Sequence, residues 1–232
     1  MGIFDDITIA DKRSLGVDFW MERGQLVEKY KRGYGLWSWK PYLILRRLEA
    51  IADGDLLMYV DVGCSLNHEG RPRLSEYLER ARIGRGWLGF SLPGHTQGQW
   101  TKRAMLSSHE RDNLEARRQP HLASCIHFIR ACEATRRLAS QWYDACGSEV
   151  AMNDEVSADE HPEFIVHRHD QSAFSLLAAD GPVESIVDES WFEPNWNANL
   201  RYPVHARRWS HRIPWPSSWL RNQRWERALR RM

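Results

Sequence analysis

No stretch of this 232-residue chain stays apolar over the roughly 20 residues that a membrane-spanning helix needs, so no transmembrane segment is read. Its start, Met1-Gly2-Ile3-Phe4-Asp5-Asp6, is acidic where a secretory leader is basic, so no signal peptide is read either. Cysteine is scarce, with four residues and no Cys-x-x-Cys spacing; Cys125 and Cys132, seven apart, are too far to bridge on a helix and read as buried small residues rather than metal ligands. A reducing cytoplasm is the expected compartment. An overall charge of one sign is missing too: the net is +1. A serine nucleophile elbow, a phosphate-binding Walker loop, a dinucleotide fingerprint and zinc-ligand spacing are all absent.

With 42% hydrophobic residues, the chain can bury a substantial core. It reads as one α/β domain or as such a domain with a small appendage. The most informative stretch is Gly54-Asp55-Leu56-Leu57-Met58-Tyr59-Val60-Asp61-Val62-Gly63-Cys64. A five-residue apolar run after a Gly-Asp turn is too short for a helix and suits a strand buried on both faces of a largely parallel sheet. It stops at Asp61. A lone carboxylate beyond a strand's carboxyl end is a site candidate, and if buried it needs a cation or several donors. The alternative is a turn or helix-capping aspartate.

Upstream, Arg32-Gly33-Tyr34-Gly35-Leu36-Trp37-Ser38-Trp39-Lys40-Pro41 leads into Tyr42 to Ile51. Pro41 suits a first helical turn, and Ile44, Leu48 and Ile51 share one helical face. A Gly/Trp-rich loop with one lysine therefore feeds a helix, then the strand, then Asp61.

These stretches, with Trp100-Thr101-Lys102 and His167-Arg168-His169-Asp170-Gln171-Ser172, resemble a bacterial glycosyltransferase-like family of capsule and lipopolysaccharide synthesis. A weaker likeness runs through Trp191-Phe192 to Pro203. The resemblance implies a GT-A-like (Rossmann-like) nucleotide-diphospho-sugar transferase fold over residues 1–200. It makes Ile3 to Ala10 that fold's second strand, with no counterpart of the first strand and helix. In such enzymes an Asp-x-Asp motif holds a divalent cation on the donor diphosphate. Here Gly63 takes the second aspartate's place. By resemblance Asp61 is the metal ligand, for Mn²⁺ or Mg²⁺. Lys40, Trp39, Gly63 and Lys102 join Asp61 in donor binding, and Asp170 with Gln171 orients sugar or acceptor, as a similar pair does in glycogenin-like transferases. For Asp170 the alternative is a helix cap, and for Lys102 a solvated lysine.

Elsewhere, helices are expected around Phe19–Tyr30, over Leu74–Ala81, from His121 to Cys146 and from Asp170 through Leu177. Strands are expected at Trp87–Phe90 and Phe164–Val166. The long helix would carry Leu122, Ile126 and Ile129 as core and place Cys125 and Cys132 on one face. His121 and His127 read as helix-surface or core residues, and of His167 and His169 at most one would face the cleft. The acidic run Glu149 to Glu163 reads as a solvated loop. Trp37, Trp39 and Trp100 are candidate sugar platforms, with core packing as their ordinary role.

The expected activity is sugar transfer from a nucleotide-sugar donor to a polysaccharide or lipid-linked glycan. The rival is a non-catalytic glycan- or nucleotide-sugar-binding domain. Residues 201–232 form a basic, Trp-rich extension with nine arginines against Glu226, a local +8 that leaves −7 on residues 1–200. Trp225, Leu229 and Met232 would share one face of a short amphipathic helix, an expected contact with anionic membrane at the inner face. The alternative is docking on the chain's own acidic run. Nucleic acid is not an expected partner, since no reader motif accompanies the arginines.

Overall fold

The computed structural model describes residues 2–192 and 195–207. The segment carrying Trp225, Leu229 and Met232 therefore lies outside the described residues. Among the described residues, five helices of eight residues or more form: α1 (Val17–Lys29), α2 (Trp39–Ala50), α3 (Arg71–Ile83), α4 (Glu133–Ala145) and α5 (Asp170–Ala178). The strands are β1 (Leu56–Val60), β2 (Ser65–Leu66), β3 (Trp87–Thr96), β4 (Pro120–Leu122), β5 (Ile126–Arg130), β6 (Val183–Val187) and β7 (Val204–His205).

The larger sheet runs β1-β5-β3-β4, with β6 along the free side of β3. Only the β3–β6 pair is parallel; β1–β5, β3–β5 and β3–β4 are antiparallel. The fold is thus mixed α/β, and the expected largely parallel surroundings of β1 are not found. Among the described residues β1 is an edge strand paired with β5 alone, and its five residues are half-buried rather than sealed on both faces.

Side chains alternate across the sheet as the two-residue period requires. Trp87, Ile129 and Leu57 point into a core with Leu45, Leu48, Trp142 and Phe174 of α2, α4 and α5. Leu88, Phe128 and Met58 point to the other side, against Leu74, Tyr77 and Ala81 of α3. A smaller cluster seats Phe19 and Val27 of α1 on Tyr42 and Tyr143.

Three expected elements are corrected. The stretch from His121 to Cys146 is β4, a turn and β5 before α4 begins, so Cys125 lies between two strands and shares no helical face with Cys132. Phe164–Val166 forms no strand; Ile165 and Val166 instead donate backbone hydrogen bonds to the Gln99 carbonyl. Ile3–Ala10 forms none either, and Ile7 and Ile9 are both exposed. Past residue 200, β7 pairs with β2 and buries Val204 and His205.

Candidate functional site

Ahead of α2 the backbone does something rare. Gly33, Tyr34, Gly35, Leu36 and Trp37 all have positive φ, at 57°, 54°, 86°, 57° and 61°. This is a left-handed helical turn, closed by Leu36 N–H on the Arg32 carbonyl (3.0 Å) and Trp37 N–H on the Gly33 carbonyl (3.1 Å). Left-handed turns cost L-residues about 1–2 kcal/mol each, and three of the five carry a side chain. Glycine is required at 35 for a second reason, since a Cβ there would meet Val27 Cγ2 at 2.7 Å. The Trp39 indole N–H caps the turn by donating to the Gly33 carbonyl at 2.8 Å. Strain of this kind persists only where its surroundings fix it, and it is common at functional sites. Here it delivers Lys40 into the first turn of α2, pointing inward.

Lys40 is buried, its side chain 3% exposed, and its ammonium lies 2.9 Å from the equally buried Asp170 carboxylate. Ser124, in the turn between β4 and β5, bridges the pair: its hydroxyl donates to Asp170 (2.9 Å) and accepts from Lys40 (3.3 Å). At the end of β1 the Asp61 carboxylate stands 3.4 Å from the same ammonium and is 31% exposed. Tyr59, two residues back and therefore on the same strand face, donates its hydroxyl to Asp61 at 2.7 Å. One cation is thus shared by two carboxylates, a net charge of −1 that reaches solvent through Asp61.

Burial alone would push Lys40 down, but the charges of Asp170 and Asp61 outweigh it and hold the ammonium well above its ordinary value. Burial pushes the Asp170 carboxyl up while Lys40 pulls the other way. The Tyr59 phenol is also raised by burial, so it remains a donor at neutral pH.

Asp170 is the first residue of α5, one past the N-cap position, which His169 holds without a side-chain capping hydrogen bond. The Asp170 carboxylate crosses to Lys40, and its backbone carbonyl accepts from the Trp142 indole at 2.8 Å. The preceding residue, His169, has φ 51° and ties its ring to Asp154 at 2.9 Å. Gln171 points elsewhere. Its amide donates to His121 Nδ1 (3.2 Å), whose Nε2–H donates to Thr101 Oγ1 (3.0 Å), whose proton goes to Gln97 Oε1 (2.7 Å). That direction follows from the Thr101 hydroxyl being occupied as a donor.

A parallel chain pins Ser124: the Trp87 indole donates to His127 Nδ1 at 3.1 Å, leaving His127 Nε2–H for the Ser124 carbonyl at 3.2 Å. Burial holds His121 and His127 neutral, each pushed down to about 3.

The structure therefore brings Lys40, Asp61 and Asp170 together, with Trp39 bracing the turn and Gly63 two residues past Asp61, where a Cβ would meet nothing within 4 Å. Lys102 is not brought there. Its ammonium is held by Asn153 Oδ1 (2.6 Å) and the Val150 carbonyl (3.0 Å), so it is neither solvated nor placed at Asp61. His167 and His169 are both buried with rings 5.0 Å apart, because the segment is not a strand and does not alternate them. The acidic run is pinned rather than free: Glu149 binds Lys29, Asp154 binds Arg32, and Glu163 binds Arg117. Trp37 packs on His169 and Trp100 on His95.

Tyr59 was legible in the two-residue spacing to Asp61; Ser124 and His127 carried no local signal.

Among the described residues no group of three or more His, Cys, Asp or Glu is placed to hold a metal ion by itself. The donor chemistry at Asp61 suits something narrower. One half-exposed hard carboxylate at a net −1 site matches a Mg²⁺-type ion that keeps most of its ligands from water and substrate phosphate. Among the described residues no helix is long and apolar enough to cross a membrane. No family model matches the chain, and no curated protein or solved structure matches it either.

Proposed function

We propose that the chain is a GT-A-like glycosyltransferase that moves a sugar from a nucleotide-sugar donor to a polysaccharide or lipid-linked glycan, acting on the cytoplasmic side of a membrane. The observation that carries the reading is the Lys40–Asp170–Asp61 cluster, in which the strained Gly/Trp turn ahead of α2 sets Lys40 and the end of β1 sets Asp61. A carboxylate at a water-accessible edge accepts hydrogen bonds from sugar hydroxyls, and its rigid partners fix the angle at which it does so. Asp61 would also hold Mn²⁺ or Mg²⁺ on the donor, and a cation there would neutralise the leaving diphosphate.

The chain's own residues do the remaining work. Lys40 does not meet the phosphates, since its charge is shared by two carboxylates; it locks Asp170 and Asp61 in place. Ser124 keeps the Asp170 oxygen oriented. Gln171 has its amide direction set by His121, which leaves Oε1 as an acceptor for a sugar or acceptor hydroxyl. The test is turnover of a panel of nucleotide sugars with Mn²⁺ and a glycan acceptor.

A second reading, a binding domain for glycans or nucleotide sugars, is favoured by that same neutralisation of Lys40, the cation that the described residues place at the cluster. Tight donor binding with no turnover of any donor would decide for it.

A further inference from the structure

We propose that Cys64 and Cys125 are a modification site: a thiol pair that peroxide closes to a disulfide beside Asp61. The register of β1 on β5 sets Val60 opposite Ile126, so the chain leaving β1 runs past the chain entering β5. Asp61 is stitched between the two cysteines. Its N–H donates to the Cys125 carbonyl at 2.8 Å, and its carbonyl accepts from the Cys64 N–H at 2.9 Å. The Cys64 sulfur lies 4.0 Å from the Cys125 carbonyl oxygen, and both cysteines pack against the same apolar cluster under β1 and β5. Both residues are half-buried. The other two cysteines differ: Cys146 is fully buried, and the Cys132 sulfur faces the Thr135 hydroxyl at 3.5 Å.

The chemistry needs only hydrogen peroxide as oxidant. One thiolate of the pair attacks a peroxide oxygen, the O–O bond breaks, and hydroxide leaves and is protonated to water. The resulting sulfenic acid is attacked by the second thiol; the S–S bond forms as the S–O bond breaks, and a second water departs. Two thiols are oxidised by two electrons and one peroxide is reduced. A covalent bond between sulfurs that flank the Asp61 turn pulls that turn towards β5, and Val62 and Gly63 are free to follow: Val62 is fully exposed, and Gly63 has open space beside it. Asp61 then leaves its 3.4 Å position on Lys40. This consequence for Asp61 rests on the function proposed above; the disulfide itself does not.

The full chain is treated with mild hydrogen peroxide, alkylated and digested with trypsin, which separates all four cysteines into different peptides. The expected result is a linked Cys64–Cys125 peptide that dithiothreitol removes, with Cys132 and Cys146 still alkylated. In C64S and C125S the linked peptide is absent, and the remaining cysteine of the pair is trapped by dimedone as sulfenic acid. Oxidation of Cys132 before the pair, or oxidation of the pair to sulfinic acid without linkage, overturns the proposal. Donor affinity is read on the same samples, with a loss of at least tenfold expected on oxidation and recovery on reduction. Linkage with unchanged affinity overturns the effect on Asp61. A reduced protein that binds no nucleotide sugar, yet still links, overturns the proposed function and leaves the thiol pair standing.

Discussion

The ammonium of Lys40 and the carboxylate of Asp170 meet at 2.9 Å, although 130 residues separate them in sequence and each is almost wholly buried. Two elements have to dock for this to happen: α2, entered through the left-handed turn, and α5, entered through the positive φ of His169. Removing Lys40 leaves Asp170 as an uncompensated buried charge.

Lys40→Met is therefore expected to cost about 3–5 kcal/mol of stability, and the double variant Lys40→Met, Asp170→Leu distinctly less than the sum of its parts. Urea denaturation of the four proteins measures this. Strict additivity would show that the two groups do not interact.

How much of this was legible beforehand varies with the kind of signal. The apolar run Leu56–Val60 and the Ile44/Leu48 stripe are local, and both elements form where the spacing put them. The Leu122/Ile126/Ile129 spacing is equally local but misleading. It imitates a helical stripe with no glycine or proline to interrupt it, and pairing with β1 and β3 overrides it. Lys102 failed as a site residue for another reason: its partners, Asn153 and Val150, lie in a segment whose polar composition resembles any solvated loop. Asp170 sits at a helix start, where aspartates ordinarily cap, and nothing local reveals that its side chain turns to Lys40.

Ser124 offers a milder test of the same cluster. Ser124→Ala removes a hydroxyl bonded to two charged groups and is expected to cost about 1.5–3 kcal/mol without loss of fold, read by thermal and urea unfolding. Unchanged stability would mean that Asp170 is oriented without it.

The buried histidines make stability depend on pH. His121 and His127 are neutral in the fold, at about 3, and bind protons near their ordinary value once unfolded. Between those values the unfolded state holds more protons, so stability is full above about 6.5 and falls as pH drops, by roughly 1.4 kcal/mol per pH unit for each histidine. Urea midpoints measured across that range should show the slope, and His121→Gln should reduce it by one histidine's share. A flat profile in the parent protein would contradict the burial assigned to both rings.

Two glycines near the cluster should behave oppositely. Gly35→Ala forces a Cβ against Val27 at a positive φ and is expected to destabilise by more than about 1 kcal/mol. Gly63→Ala meets nothing within 4 Å, so its unfolding midpoint should stay put while donor affinity falls if ligand approaches that face. Equal, unaltered donor affinity would remove Gly63 from the site.

The most direct test of the account is calorimetry of nucleotide-sugar binding with Mn²⁺, comparing the parent chain with Asp61→Asn. The account predicts measurable binding of at least one donor by the parent and loss of most of that affinity in the variant, with the thermal midpoint preserved. Equal affinity in both proteins, or a folded parent that binds no donor at all, would contradict it.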